Sequence, residues 1–281
     1  PVTVINTNVS ATLASNALAR NERAMSTAME RLSTGKRINS AGDDAAGLAI
    51  SARMASQVKG LEQAARNAAD GISMVQTVEG AGKEIVNILT RMKELAVQAS
   101  SGTLSTTDRT ALDTEYSQLE LEITRIQTNT KWNTKALMGA DHGAVSVQVG
   151  DGNNQAMTIT LKAWALNGTG EVFGVDLTNA AHNGVDTDTK AKAALTQLDS
   201  AITNASAELA TYGAYINRLE YAQDNLMNVA QNTDASRSRI EDADYASETS
   251  ELAKTQIIAQ AGTAMLAQAN QIKQTVLALL Q

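Results

Sequence analysis

The chain has 281 residues with 23 Lys and Arg, 30 Asp and Glu, two His and no Cys, so its formal net charge at pH 7 is −7. The absence of Cys excludes disulfides, thiolate nucleophiles and thiolate metal sites, and the negative charge argues against a nucleic-acid partner, which selects a basic face. The aromatic residues are two Trp, five Tyr and one Phe, and the single Pro stands at position 1, so the composition favours long helices packed through aliphatic side chains over a compact enzyme.

The first 40 residues carry a weak apolar stripe that repeats every seven residues. Its members are Val4, Ala11, Leu18, Met25 and Leu32. This spacing predicts a helical face that the segment cannot bury by itself. We therefore expect another segment to cover it.

A much stronger stripe, with steps of three and four residues, predicts one long helix from about 44 to 100. Ser40 and Asp43 have the spacing of a capping box at its start. Glycines inside this helix each cost roughly 1 kcal/mol relative to Ala. Those we single out are Gly60, Gly71, Gly80 and Gly82. We interpret them as positions where a neighbouring helix approaches closely.

A third helix is predicted over 107–130, with Thr106 or Thr107 as its N-cap. Alternating apolar residues on both sides of a Gly- and Asn-rich turn then predict a β-hairpin at about 145–162. Residues 163–186 are rich in Gly, Asn and Thr, which is typical of an irregular surface loop.

The remaining two segments are again helical in pattern. Residues 187–234 carry a heptad seam over about five repeats. Within 244–281 the same rhythm falls on Ile258, Gly262, Met265, Ala269, Ile272, Val276 and Leu279. Residues 1–40 hold five basic and two acidic groups, whereas 240–281 hold five acidic and two basic ones, which favours pairing of the chain ends. The predicted fold is mainly α, a long antiparallel helical bundle or coiled coil with one β-hairpin and paired N- and C-terminal helices.

The sequence predicts no catalytic, metal or cofactor site. Asp43 and Asp44 lie at a predicted helix start, where capping explains two carboxylates better than acid–base chemistry does. His142 and His182 are far apart in loop-like sequence, so we interpret both as solvent-facing and not as metal ligands. The longest apolar runs span a few residues, so we expect no insertion into a membrane.

Long and specific strings stand at both ends of the chain. The N-terminal strings are VINTN at 4–8, ERLSTGKRINSAGDDAAGLAI at 30–50 and TRMKELAVQAS at 90–100. The C-terminal strings are TYGAYINRLEYAQDNL at 211–226 and SRIEDADYASETSELAKTQIIAQAGTAMLAQANQ at 238–271. Together they resemble the bacterial flagellins, and the resemblance depends on both ends at once.

The resemblance implies a structural subunit, not an enzyme, that polymerises with itself into the bacterial flagellar filament for motility and needs no cofactor. Residues 1–43 and 240–281 would form an inner coiled-coil shell through the apolar seam residues named above, and residues 44–239 a rod-like helical core. The family is exported unfolded by the flagellar type III apparatus, so an extracellular location is implied. Implied partners are the export chaperone, the filament cap and the hook–filament junction proteins.

The family also implies a site for the host's Toll-like receptor 5. Matched residue by residue, Arg91, Leu95 and Glu115 occupy the receptor-contacting positions. A plainer interpretation of the same residues remains open. Leu95 would belong to the buried helix seam, and Arg91 and Glu115 would be solvated charges.

Other functions also remain open at this point. A hook–filament junction protein shares the terminal architecture, although the strings at 90–100 and 238–271 favour a flagellin. A flagellin-like surface protein that binds a ligand would need a cleft with clustered acids or aromatics, whereas Trp132, Trp164 and Phe173 are scattered in the sequence. A coiled-coil adaptor would form an oligomer of fixed size.

Overall fold

A computed structural model of the chain describes residues 7–139, 143–167, 172–179 and 184–278, with side chains as far as residue 271. The helices are α1 (Val9–Thr34), α2 (Ala45–Ala99), α3 (Thr106–Asn129), α4 (Asp188–Glu241) and α5 (Tyr245–Ala278). The strands are β1 (Lys131–Trp132), β2 (Lys135–Ala136), β3 (Ala144–Gln148) and β4 (Ala156–Thr160). The mainly helical fold is confirmed.

Two antiparallel pairs of strands occur among the described residues. The predicted hairpin is β3–β4, in which Val145 faces Ile159 and Val147 faces Met157. The shorter pair β1–β2 was not predicted, because two-residue strands are too short to show alternation.

The chain divides into two compact units. Residues 59–230 form the central unit, and residues 1–58 with 231–281 form the terminal unit. The divisions fall inside α2 and α4.

The start of α2 is capped by Asp44, whose Oδ1 accepts a hydrogen bond from the backbone N–H of Gly47 at 2.8 Å. The predicted Ser40–Asp43 pair does form, with Asp43 Oδ2 accepting from the Ser40 backbone N–H at 2.8 Å. This pair closes the turn before the helix and not the helix itself, so the capping-box prediction was misplaced by one turn. The carboxylates of Asp43 and Asp44 therefore both accept hydrogen bonds from backbone N–H groups.

The start of α3 is held by a capping box in which the Ser105 side chain accepts from the Asp108 backbone N–H. Arg109 fastens this start to the end of α2, since its guanidinium donates to the carbonyl oxygens of Ala99 and Ser101, both at 2.8 Å. These two hydrogen bonds hold the first turn of α3 against the C-terminal end of α2.

The core of the central unit is formed by side chains of α2, α3, α4, the hairpin and the segment after it. Its largest fully buried members are Trp164, Tyr116, Tyr212, Phe173, Ile85, Leu89, Met92, Leu95, Ile123, Leu137 and Met138. The aromatic residues of the central unit are therefore concentrated in its core.

The expectation of a surface loop at 163–186 is wrong for the residues described there. Trp164 and Phe173 are completely buried and contact each other edge to face with ring centroids 5.9 Å apart. The Trp164 indole N–H donates to the Tyr212 hydroxyl at 3.2 Å, and the Asn204 amide donates to the Phe173 carbonyl oxygen at 2.7 Å. The backbone is irregular as predicted, but its apolar side chains complete the core, and Trp164 and Phe173 lie together there.

Glycines on α2 allow close approach at some positions and not at others. An ideal Cβ on Gly82 would lie 2.8 Å from Leu209 Cδ2 and 2.8 Å from Trp164 Cη2, whereas one on Gly80 would meet nothing within 4 Å. We expect Gly82→Ala to destabilise the central unit by about 1–3 kcal/mol through overpacking. The matched variant Gly80→Ala should stabilise it by about 0.5–1 kcal/mol through helix propensity. Urea unfolding of both variants measures the difference, and equal effects would contradict the assigned contact.

Glu120 on α3 titrates unusually, because burial and the nearby Asp113 carboxylate raise its pKa from 4.5 to about 7. A raised pKa in the folded state means that the free energy of unfolding falls as pH rises from about 4.5 through 7. We expect Glu120→Gln to remove this part of the pH dependence and to stabilise the protein above pH 7. Thermal unfolding across this pH range checks the expectation, and an unchanged profile would count against it.

Candidate functional site

The terminal unit contains an antiparallel helix pair, α1 with α5, which we call the terminal pair. Hydrogen bonds and an ion pair set its register. Asn8 and Asn21 donate through their amides to the carbonyl oxygens of Ala269 and Thr255, at 3.2 and 2.7 Å. Further along, Arg31 contacts the Glu248 carboxylate at 3.0 Å. Because these contacts occur in opposite order along the two helices, they define one alignment, and buried Asn21 serves as a polar register marker.

The end of α1 is joined to the chain just before α5. Lys36 forms an ion pair with Glu241, and the Ala243 backbone N–H donates to the Gly35 carbonyl oxygen at 3.0 Å. Gly35 itself has φ +71°, a conformation that ends the helix and favours glycine. The predicted pairing of the terminal helices is confirmed, and oppositely charged side chains take part in it.

The predicted seam on α1 faces α5. Ala11, Leu18, Met25 and Leu32 are half-buried, and Asn21 and Ala28 between them are buried. Leu18 packs closely on α5, since an ideal Cβ on Gly262 would lie 3.3 Å from its Cδ1.

The predicted seam on α5 coincides only in part with the face that packs against α1. Ile258 and Met265 are 44% and 67% exposed, while Ala269 is half-buried. The sequence interpretation missed other positions that are buried or half-buried, which are Leu252, Thr255, Ala259 and Leu266. Gly262, which belongs to the predicted rhythm, is half-buried with them. Their spacing follows the same heptad steps, so periodicity alone could not choose between the two faces. Val4 and Leu279, and the side chains of Ile272 and Val276, lie outside the described residues.

A largely apolar groove runs along the terminal pair. It has a volume of about 220 Å³ and is lined by Ala14, Ala17, Leu18, Ile258, Ala261, Gly262 and Met265. Between Lys254 and Lys273 the sequence carries no charged residue. Apolar side chains elsewhere on the unit are exposed as well, including Val9, Leu13, Met29 and Ile257. Such a surface can bind apolar side chains of another protein.

The residues predicted to contact a receptor lie together on α2 and α3. Arg91 donates to Glu115 and Glu94, each at 2.9 Å, and these hydrogen bonds raise the pKa of Arg91 above its usual value. Both Arg91 and Glu115 are exposed, whereas Leu95 is buried in the core. The accessible part of this site is therefore an ion pair, with Leu95 packed behind it.

The described residues show neither a metal site nor a membrane segment. Within them, no group of three or more His, Asp and Glu is placed to hold an ion. Among the same residues, no helix contains an apolar stretch long enough to cross a bilayer. His142 and His182 lie outside the described residues.

The fold and the exposed terminal pair define a helical protein suited to self-association. Residues 5–141 match the family model of the bacterial flagellin N-terminal helical region, and residues 195–280 match that of the C-terminal helical region. A flagellin of Halalkalibacterium halodurans is 43% identical, covering 99% of this chain and 100% of its own length.

Solved structures agree with the family match. The crystal structure of Bacillus cereus flagellin aligns at 31% identity with a TM-score of 0.50, covering 57% of this chain and 88% of that one. A protein from Vibrio parahaemolyticus described as flagellar hook-associated aligns with a TM-score of 0.60 at 14% identity, over 71% of this chain and 100% of that one, which shows a shared fold alone. The chain belongs to the bacterial flagellins. It is a structural subunit of the bacterial flagellar filament, and its family role is not enzymatic.

Proposed function

We propose that the terminal pair is the element that drives filament assembly, that residues 1–43 and 240–281 form an inner coiled-coil shell, and that residues 44–239 form a rod-like helical core. The observation that carries this proposal is the apolar groove along α1 and α5, which stays open in the single chain. Exposed apolar surface is disfavoured in water, and burying it between subunits stabilises their association by roughly 25 cal/mol per Å². Neighbouring copies of the same chain supply the matching apolar side chains.

The geometry of the contact decides the kind of assembly. A groove on one copy that receives a different surface of the next copy makes a heterologous contact, and such contacts build an open helical filament when they do not close into a ring. These contacts would use the exposed apolar side chains of the terminal pair, which include Val9, Leu13, Ile258 and Met265. The proposal is tested by Leu18→Asp, a substitution expected to separate α1 from α5 and to leave the central unit folded.

We also propose that the subunit leaves the cell unfolded through the flagellar type III apparatus and joins an extracellular filament. Family membership supports this route, and a chain without disulfides can pass a narrow channel without reduction. The export chaperone would cover the apolar surface of α5 before export. The filament cap and the hook–filament junction proteins would meet the same terminal pair outside.

A second function concerns Toll-like receptor 5. We propose that the exposed Arg91–Glu115 pair contacts the receptor and that buried Leu95 holds α2 against α3 beneath it. Arginine side chains are enriched among the residues that contribute most to binding at protein interfaces.

We expect Arg91→Ala to raise the concentration that half-activates a receptor reporter by about tenfold or more. Arg125→Ala is the matched control, because Arg125 also forms an exposed ion pair, with Glu122 on α3. Thermal unfolding should be unchanged in both variants, since both ion pairs are exposed. Equal reporter responses for the two variants would refute the site.

A further inference from the structure

A second groove, in the central unit, has no role in the assembly described above. It has a volume of about 480 Å³ and lies between α2, β3 and the turn that joins β1 to β2. Gly71 brings β3 close to α2, since an ideal Cβ there would lie 3.2 Å from Val147 Cγ2. Met74 and Val147 are buried and give the groove an apolar lining, beside which the half-buried indole of Trp132 stands.

The turn at the edge of this groove is strained. Asn133 and Thr134 have φ values of +44° and +68°. A branched Thr side chain is unfavourable in this left-handed conformation, which costs of order 1–3 kcal/mol. The pairing of Trp132 with Lys135 across the turn keeps both side chains at the groove.

The polar groups of the groove are available to a ligand. The exposed Asp70 carboxylate and Lys135 ammonium group form no hydrogen bond or ion pair with any residue that the structure describes. The Asn133 amide adds a group that can both donate and accept hydrogen bonds. The groove carries one negative and one positive charge. An anionic ligand would be repelled by Asp70 and a cationic ligand by Lys135, so an uncharged ligand fits best.

We propose that this groove binds a neutral saccharide. A pyranose ring has an apolar face of C–H groups and a rim of hydroxyls, and it matches an indole beside carboxylate and amide groups. The ring lies on Trp132, and its hydroxyls bind Asp70, Asn133 and Lys135. This inference is independent of the assembly role, because it uses residues of the central unit alone.

The test is a fluorescence titration of the soluble full-length chain with N,N′-diacetylchitobiose, cellobiose and lactose. Trp164 is completely buried, so a saturable change reports on Trp132. We expect saturation with at least one sugar, with a dissociation constant in the millimolar range or below. Asp70→Ala should weaken this binding about tenfold or more, while Asp224→Ala, which alters an exposed acid on α4 outside the groove, should leave it unchanged.

Trp132→Phe keeps an aromatic face and is followed by saturation-transfer NMR, which needs no Trp signal. It should bind the same sugar more weakly than the native chain does. Absence of saturation with all three sugars overturns the proposal, and so does equal binding by the Asp70→Ala and Asp224→Ala variants. If Asp70→Ala binds sugar normally but fails to form filaments, the groove is an interface between subunits and the proposal is wrong.

Discussion

Replacing Leu18 with Asp should abolish filament formation and leave the central unit folded. Leu18 is half-buried in the terminal pair, where Gly262 leaves room for its side chain. The groove it lines is nearly all apolar, so a carboxylate there has no partner and costs several kcal/mol to bury. The terminal pair would separate, and the groove that receives a neighbouring subunit would be lost with it.

Seeded polymerisation followed by sedimentation and negative-stain microscopy measures this effect, and circular dichroism reports the helices of the central unit. Ser15→Asp is the matched control, because it places the same charge on an exposed position of α1. We expect it to keep the terminal pair and to form filaments. Normal filaments from Leu18→Asp would show that the terminal pair does not drive assembly.

Replacing Trp164 with Ala should produce the largest loss of stability in the central unit, about 3–5 kcal/mol. The side chain is completely buried, contacts Phe173 edge to face and donates a hydrogen bond to Tyr212. Its removal leaves a cavity beside Gly82 and takes one hydrogen-bond donor from the buried Tyr212 hydroxyl. Both losses act on the same part of the core.

Urea unfolding followed by far-ultraviolet circular dichroism measures the loss, with Trp132→Ala as the control of equal size. Trp132 is half-buried beside an open groove, so its removal creates little enclosed cavity and should cost much less. Equal losses in the two variants would mean that the 163–186 segment does not contribute to the core as the structure indicates.

The candidate sites were predictable from the sequence to different degrees. Arg91 and Glu115 were placed by resemblance alone, and only the packing of α2 against α3 revealed that they bind each other. The saccharide groove had no sequence signal, because Asp70 and Trp132 belong to different elements that are brought together by the fold.

The sequence by itself determined the helices, the hairpin and the pairing of the chain ends, because apolar periodicity and charge are local properties of a chain. Only the tertiary structure decided which face of α5 turns toward α1, since its Ala-rich pattern satisfies two heptad phases equally. It also decided that the segment from 163 to 186 lies partly in the core. A Gly- and Asn-rich backbone is irregular wherever it lies, and the burial of Trp164 and Phe173 depends on the space left by α2 and α4.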